Sequence, residues 1–395
     1  MQNTANAPRA PKGSIWTDPK ARAWLFQIIA VIAVIALGWY LFQNTQTNLE
    51  KRGILSGFDF LEQSAGFGIS QHLIDYNESH SYGRVFVIGL LNTLLVSVIG
   101  IFFATILGFI LGVARLSPNW LVRKLATIYI ETFRNIPPLL QIFFWYFAVM
   151  LPMPGPRQSL SLGENFFLNN RGLYMPAPTM AEGFWPFLIG LVLILVGIIV
   201  LARWAKARQE ATGQRFPVLL TTLALLVVIP TLTALAFGAP FHWSVPQLQG
   251  FNFRGGWVVI PELIALTLAL TVYTAAFIAE IVRSGIQAVS HGQTEAARSL
   301  GLPAPKILRL VIIPQALRVI IPPLTSQYLN LAKNSSLAAG IGYPDMVSLF
   351  AGTVLNQTGQ AIEVITITMS VYLAISISIS ILMNWYNKRI ALIER

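Results

Sequence analysis

Stretches of apolar residues long enough to cross a bilayer recur along this chain, and they limit its possible folds more than any other feature. A helix needs about 20 such residues to span the hydrocarbon core. The sequence offers eight candidate spans, at about 24–42, 85–112, 125–150, 184–202, 217–238, 258–282, 319–340 and 363–386. Inside a bilayer every backbone polar group must find its partner within the protein, so these runs predict helices. Only 11% of the 395 residues are charged and 55% are hydrophobic, whereas about a quarter of a water-soluble domain is charged. The expected fold is an all-α integral membrane protein of about eight transmembrane helices.

The few charges orient that bundle. Nineteen of the 27 basic residues fall at the two ends and in the connections after the second, fourth and sixth spans. Six (Lys51, Arg52, Arg84, Arg157, Arg171 and Arg254) fall in the other connections, and Arg134 and Lys333 lie inside spans. Short loops rich in Lys and Arg stay in the cytoplasm, which predicts that both termini are cytoplasmic. The connections 43–83, 151–183 and 239–257 are then external, and their Gly, Pro, Asn and aromatic content predicts loops with surface structure. The first apolar run follows Arg9, Lys12, Lys20 and Arg22, lacks a small-x-small cleavage site and ends in Gly38-Trp39-Tyr40. That pattern predicts an uncleaved signal anchor with an aromatic interface belt.

A net charge of +11 would suit nucleic acid, but these bases flank apolar runs and do not gather on one face with stacking aromatics. Nucleic acid is therefore not an expected partner. There is no cysteine, and His72, His80, His242 and His291 have no metal-binding spacing, so no metal site is expected. No convergent set of His, Ser and carboxylate residues suggests catalysis. The chain is not expected to be an enzyme, and no catalytic residues are assigned.

Between the sixth and seventh spans lies a polar segment, EAARSLGLPAPKILRLVIIP, from Glu295 to Pro314. Thr294 can cap a helix beginning at Glu295, Gly301 lets it stop, and Pro303 and Pro305 prevent it from continuing. The segment resembles the EAA signature of permease subunits of bacterial ABC importers: E-A-A, three residues, Gly, nine residues, then I-x-L-P. Glu295, Ala296, Ala297, Gly301 and Pro314 match, while Val311 and Ile313 replace the usual Ile and Leu. The resemblance implies a coupling helix that sits in a groove of an ATPase subunit, with those five residues at the contact. No G-x-x-x-x-G-K-[ST] phosphate loop occurs in the chain. ATP and Mg are therefore expected on a partner ATPase, with no cofactor in this chain.

Four further stretches, GLLNTLLVS from Gly89, ETFRNIPPLLQIFFWY from Glu131, AFIAEIVRSGIQ from Ala276 and LRVIIPPLTSQYLNLAKNSSL from Leu317, resemble the polar amino-acid permeases. This resemblance covers about half the chain and implies a type I importer core of five helices. Common members are shorter. The extra N-terminal anchor, the long external stretch and the helix pair inserted at 184–238 resemble the general L-amino-acid branch of Gram-negative bacteria, which includes glutamate, glutamine, aspartate and asparagine permeases.

That likeness implies a bacterial inner-membrane location, an L-amino-acid substrate and a heterodimer with a second homologous permease. It also implies a homodimeric ATPase, a periplasmic amino-acid-binding protein and contact with membrane lipid. Residues 1–83 would form the cytoplasmic N-terminus, anchor and external loop. Residues 84–386 would form the permease domain, with its coupling loop at 284–318, and 387–395 a cytoplasmic tail. An ion-coupled secondary transporter is the competing class, because buried Glu and Arg can relay protons. The EAA spacing and the lack of inverted repeats argue against it.

Ionisable side chains at membrane depth are costly, which makes each one a candidate for the substrate pathway. Glu131 and Arg134 are three residues apart and can neutralise each other on one helix face. Pro137 and Pro138 follow, freeing the carbonyls of Phe133 and Arg134 and predicting a polar pocket. Lys333 and Asn334 on the seventh span, and Asn92 and Thr93 on the second, are expected at similar depth. Arg134 or Lys333 suits a substrate carboxylate and Glu131 its ammonium group, with Asn92 and Thr93 adding hydrogen bonds. An equally open reading has Glu131 and Arg134 only locking helices together. Glu280, three residues before Arg283, lies near a membrane interface where it can reach water.

Overall fold

The computed structural model describes residues 19–51 and 57–390, so Arg9, Lys12, Arg52 and Arg395 of the charge count lie outside the described residues. The chain runs through α1 (Pro19–Lys51), α2 (Tyr82–Ala114), α3 (Trp120–Asn135) and α4 (Pro138–Phe143), the last continuing as π-helical turns over Phe144–Met150. Then come α5 (Phe184–Thr212), α6 (Val218–Phe237), α7 (Pro261–Gln287), α8 (His291–Ser299) and α9 (Ala304–Ile307). A π-helical turn at Leu308–Ile312 leads into α10 (Ile313–Asn334), followed by 3-10 turns over Ser335–Ile341. π-Helical turns at Val347–Val354, α11 (Leu355–Thr358) and α12 (Ala361–Ile390) end the described chain. Among the described residues seven helical stretches are long and apolar enough to cross a bilayer.

The third expected span, 125–150, is not one helix. Each residue before a proline is pushed out of the helical region, and two consecutive prolines do this twice. Ile136 (φ −99°, ψ 125°) and Pro137 (φ −54°, ψ 139°) are both extended. The helix therefore stops at Asn135 and restarts at Pro138. Of the two pieces, only Pro138–Met150 is an apolar helix, and it is short. α3 carries Arg123, Lys124, Glu131 and Arg134.

α7 is the central helix, with Ala265, Leu266, Ala269, Leu270, Ala275, Ala276, Ile278 and Ala279 inaccessible to solvent. α2 packs along it through Gly108 and Gly112. A Cβ on Gly108 would lie 2.6 Å from the Cβ of Ile278, and one on Gly112 would lie 2.6 Å from the Ala279 carbonyl oxygen. α10 approaches the other side in the same way, since a Cβ on Gly285 would lie 2.3 Å from Ile320 Cγ1. Where lipid is as apolar as leucine, close backbone approach of this kind is what holds helices together.

The connections expected to be external, and to be loops with surface structure, contain eight short strands among the described residues. β1 (Leu160–Leu162), β2 (Phe166–Asn169) and β3 (Gly172–Met175) are joined by β8 (Trp257–Val259) in an antiparallel sheet ordered β1-β2-β3-β8. β4 (Ala177–Met180) pairs with β5 (Phe241–Ser244), and β6 (Gln247–Gln249) pairs with β7 (Asn252–Arg254). Strands of three or four residues are too short for alternation to be read from sequence. Pairing of Leu173 with Val259 ties the segment after α4 to the start of α7, which leaves α5 and α6 as a hairpin hung from the sheet.

Candidate functional site

The EAA segment folds as a helix, but one turn earlier than expected. α8 starts at His291 after Ser290, and Ser290 makes no side-chain capping bond. Its end fits the expectation more closely. Gly301 takes φ +73°, its N–H donates to the Arg298 carbonyl at 2.8 Å, and the Leu302 N–H donates to the Ala297 carbonyl at 3.2 Å. These two bonds form the Schellman ending that a left-handed glycine allows. Glu295 and Ala296 are exposed, as is Gly301, whereas Ala297 is turned inward and buried. Ala297 therefore packs within the chain and does not present itself to a partner. Leu300, beside Gly301, is 80% exposed and was passed over in the sequence. Pro314 lies in the first turn of α10, where its missing N–H follows the wide π-helical turn. Gln315 donates to Gln293 at 3.3 Å, tying α10 back to α8.

Above α8, charges from three helices meet, in pairings other than those expected. Glu131 and Arg134 do not pair with each other. Arg115, one residue past the end of α2, donates through one guanidinium nitrogen to Glu131 at 3.0 Å and through another to Glu280 at 2.5 Å. Glu280 also accepts from Arg283 Nε at 3.0 Å, and Arg283 in turn bonds Gln287. Arg134 lies 5.2 Å from the centre of the Phe277 ring and makes no ion pair among the described residues. Tyr129 donates to the Val272 carbonyl at 3.0 Å.

The pocket expected from carbonyls freed by the two prolines is partly closed. Gln141, which is buried, donates to the carbonyls of both Phe133 and Ile136 at 3.0 Å. Arg115 was read from sequence only as a loop base. It is the first charge after a wholly uncharged stretch from 85 to 114, and that was the available signal.

Asn92 and Thr93 are inaccessible and anchor mainly to backbone, although Asn92 Oδ1 has no partner among the described residues and Thr93 also meets Tyr372. Asn92 Nδ2 donates to the carbonyls of Gln71 and Pro344 at 2.8 and 2.9 Å. Thr93 Oγ1 accepts from the Met346 N–H at 3.0 Å and donates to the Gly89 carbonyl. Between those two anchored positions sits Asp345, also inaccessible, which sequence reading missed. It accepts from the Ser348 N–H at 2.8 Å, capping the turns that follow, and from the Tyr372 hydroxyl of α12 at 3.0 Å. Burial pushes its carboxyl up to about 6, against the partial opposition of those bonds. Lys333 is exposed and Asn334 half-buried in the last turn of α10, away from the Arg115 cluster in the bonding pattern.

A multi-pass bundle with a short exposed helix between two of its spans defines a membrane-embedded transport subunit. The model for the binding-protein-dependent transport system inner membrane component matches residues 211–392. The chain is 65% identical over 385 residues to the putative amino-acid ABC transporter permease protein YhdX of Escherichia coli (strain K12), covering 97% of this chain and 98% of that one. It is 52% identical to the general L-amino acid transport system permease protein AapQ of Rhizobium johnstonii, over 96% of this chain and 94% of that one. With the glutamate/glutamine/aspartate/asparagine transport system permease protein BztB of Rhodobacter capsulatus it shares 43% identity, over 96% of each chain. The chain belongs to the amino-acid ABC transporter permeases, the family its EAA segment and flanking motifs led one to expect.

Proposed function

We propose that this chain is the inner-membrane subunit through which L-amino acids pass from periplasm to cytoplasm, with both termini and α8 on the cytoplasmic side. Its partners in this reading are a second homologous permease, an ATPase dimer that docks on α8 and supplies ATP and Mg, and a periplasmic amino-acid receptor. The chain itself hydrolyses nothing. α8 carries the reading: a largely exposed helix between two spans, presenting Glu295 and Ala296 near an end closed by a left-handed glycine. The charge asymmetry of the connections supports the orientation. The names of AapQ and BztB support an amino-acid cargo, general or acidic with its amides.

For the substrate, Arg134 is the group we assign to the carboxylate. It forms no direct salt bridge among the described residues, although its charge also acts on Glu280, and a guanidinium fork matches a carboxylate in two bonds. Glu131 is already engaged by Arg115, so we do not assign it to the substrate ammonium group. Asn92 and Thr93 support the wall of the pathway, and Lys333 with Asn334 remains a second polar station.

Gly301→Val tests the docking role. A β-branched residue at φ +73° costs about 1–3 kcal/mol, and that cost falls on the exposed end of α8, away from the membrane core. The expected result is loss of ATPase co-purification and about a tenfold fall in uptake of labelled amino acids, with the chain still inserted. Unchanged assembly and uptake would overturn the reading. Uptake by the unmodified complex should collapse on ATP depletion and survive an uncoupler.

A further inference from the structure

The charged cluster joins elements that the coupling role leaves unconnected. Starting at α3, Glu131 bonds Arg115, Arg115 bonds Glu280 of α7, Glu280 bonds Arg283, and Arg283 bonds Gln287 in the last turn of α7. Four residues beyond Gln287, α8 begins. A line of polar contacts therefore runs from the last turn of α7, where the chain leads on to the exposed helix, to α3.

α3 is also the element best placed to move as a unit. The extended Ile136–Pro137 pair separates it from α4, and its start is set by an Asn119 cap bonded to the N–H groups of Leu121 and Val122. One side-chain bond to α7 backbone, from Tyr129 to Val272, fixes its middle. The half nearer the break is held by the Glu131–Arg115 link, by Arg134 over the Phe277 ring and by the Gln141 amide on the Phe133 carbonyl, and of these only the Glu131 link is an ion pair. That link is the accessible end of the line: the side chain of Glu131 is 55% exposed, against 19% for Arg115 and 26% for Glu280. A bond between exposed groups exchanges with water at little cost, whereas a partly buried pair holds.

We propose that Arg115 is a positioning residue for transport. It stays on Glu280 and takes or releases Glu131, so that displacement of α8 at the end of α7 becomes a swing of α3 about the Ile136–Pro137 break. Arg134, three residues beyond Glu131, travels with α3, so the latch sets where the cation meant for the substrate lies. This rests on the transport function proposed above. Two discrete arrangements joined by a single breakable pair are what a coupling path requires.

The test uses the whole reconstituted transporter with its receptor, measuring amino acid moved per ATP hydrolysed. Glu131→Gln is the key variant, because its half-exposed side chain can change without unfolding the chain. It should assemble normally and keep receptor-stimulated ATP hydrolysis, while the transport ratio falls at least about fivefold. Arg115→Gln should fall at least as far, Arg115→Lys should recover part of the loss, and the double variant Arg115→Gln/Glu131→Gln should be no worse than Arg115→Gln alone. An unchanged ratio in Glu131→Gln would overturn the latch, as would additive losses in the double variant or a lowered melting temperature with a normal ratio. If the unmodified complex moves no amino acid with ATP, the transport function fails first and the latch falls with it.

Discussion

α2 and α6 are both strongly apolar, with Arg84 near the start of α2 their one charge, yet α2 buries twelve of its residues and α6 buries none. The difference lies in small residues. Counting by fours along α2 gives Gly100, Ala104, Gly108 and Gly112, all buried; Gly108 and Gly112 let α2 lie against the backbone of α7, and Gly100 makes room for Leu331 of α10. α5 and α6 pack on each other, where a Cβ on Gly190 would lie 3.3 and 3.4 Å from Thr233 and Ile229, while one on Gly197 would meet nothing within 4 Å. Apolar composition is enough to place a helix in lipid. Joining the transport core takes a row of residues small enough for backbones to touch.

Substitutions at the two kinds of glycine should separate sharply. Gly112→Leu would drive a side chain into the Ala279 carbonyl and Val282, 2.6 and 2.7 Å from where its Cβ would sit, and neither can yield without parting α2 from α7. We expect a loss of more than about 3 kcal/mol and no monodisperse protein on size-exclusion chromatography. Gly197→Leu should leave the elution profile and melting temperature unchanged, because its Cβ meets open space. Equal effects at the two positions would erase the distinction between core and hairpin.

The two regions were also unequally legible in the sequence. The spans themselves, the EAA segment and the orientation signal can all be read from apolar runs and motif spacing. The ladder on α2 escapes a scan that scores apolarity alone. The broken third span was signalled by Pro137-Pro138, but the apolar run from Ile136 to Leu151 hides a stop in the middle of the segment. Arg115 and Glu131 are sixteen residues apart, so their pairing depends on how α3 turns back. Neighbour rules along one helix favoured Glu131 with Arg134 instead. Asp345 is the only charge between Lys333 and Glu363, which marks it as unusual but does not reveal its burial. The strands of the external connections have no readable period at three or four residues each.

A second contrast is polar. None of the buried polar side chains lies in α5 or α6, whereas the core encloses Asn92, Thr93, Gln141 and Asp345. Asp345 makes the contrast measurable through pH. Its carboxyl is raised from 3.8 to about 6 by burial, so the folded chain holds a proton that the unfolded chain has released. The penalty for the charged form is absent below about 3.8 and complete above about 6, so this group favours the folded state more as pH falls from 7 to 4. A shift of that size corresponds to roughly 3 kcal/mol. Asp345→Asn can still cap Ser348 through its carbonyl oxygen and meet the Tyr372 hydroxyl through its amide. Its melting temperature should exceed the parent's at pH 7 and converge with it near pH 4. A parallel pair of curves across that range would mean that Asp345 is not held uncharged by its surroundings.

The smallest effect is expected from the largest change. Gly183 and Gly238, which flank the α5–α6 hairpin, lie so close that a Cβ on Gly183 would sit 2.2 Å from the Gly238 carbonyl oxygen. Removing Phe184–Phe237 and joining Gly183 directly to Gly238 therefore asks for little movement of the strands on either side. β3 remains paired with β8, and β4 with β5, because those registers lie outside the excised segment. The helices removed bury only Gly190, Ile194 and Ala205 among the described residues, and Gly190 meets only side chains of α6. We expect the shortened chain to insert, to elute as a single species and to melt within a few degrees of the parent, consistent with surface changes of small energetic effect. Loss of the folded core on excision would show that the hairpin holds α2, α7 and α10 together through the external sheet. Retained folding with lost assembly would instead place the hairpin's exposed faces against another subunit.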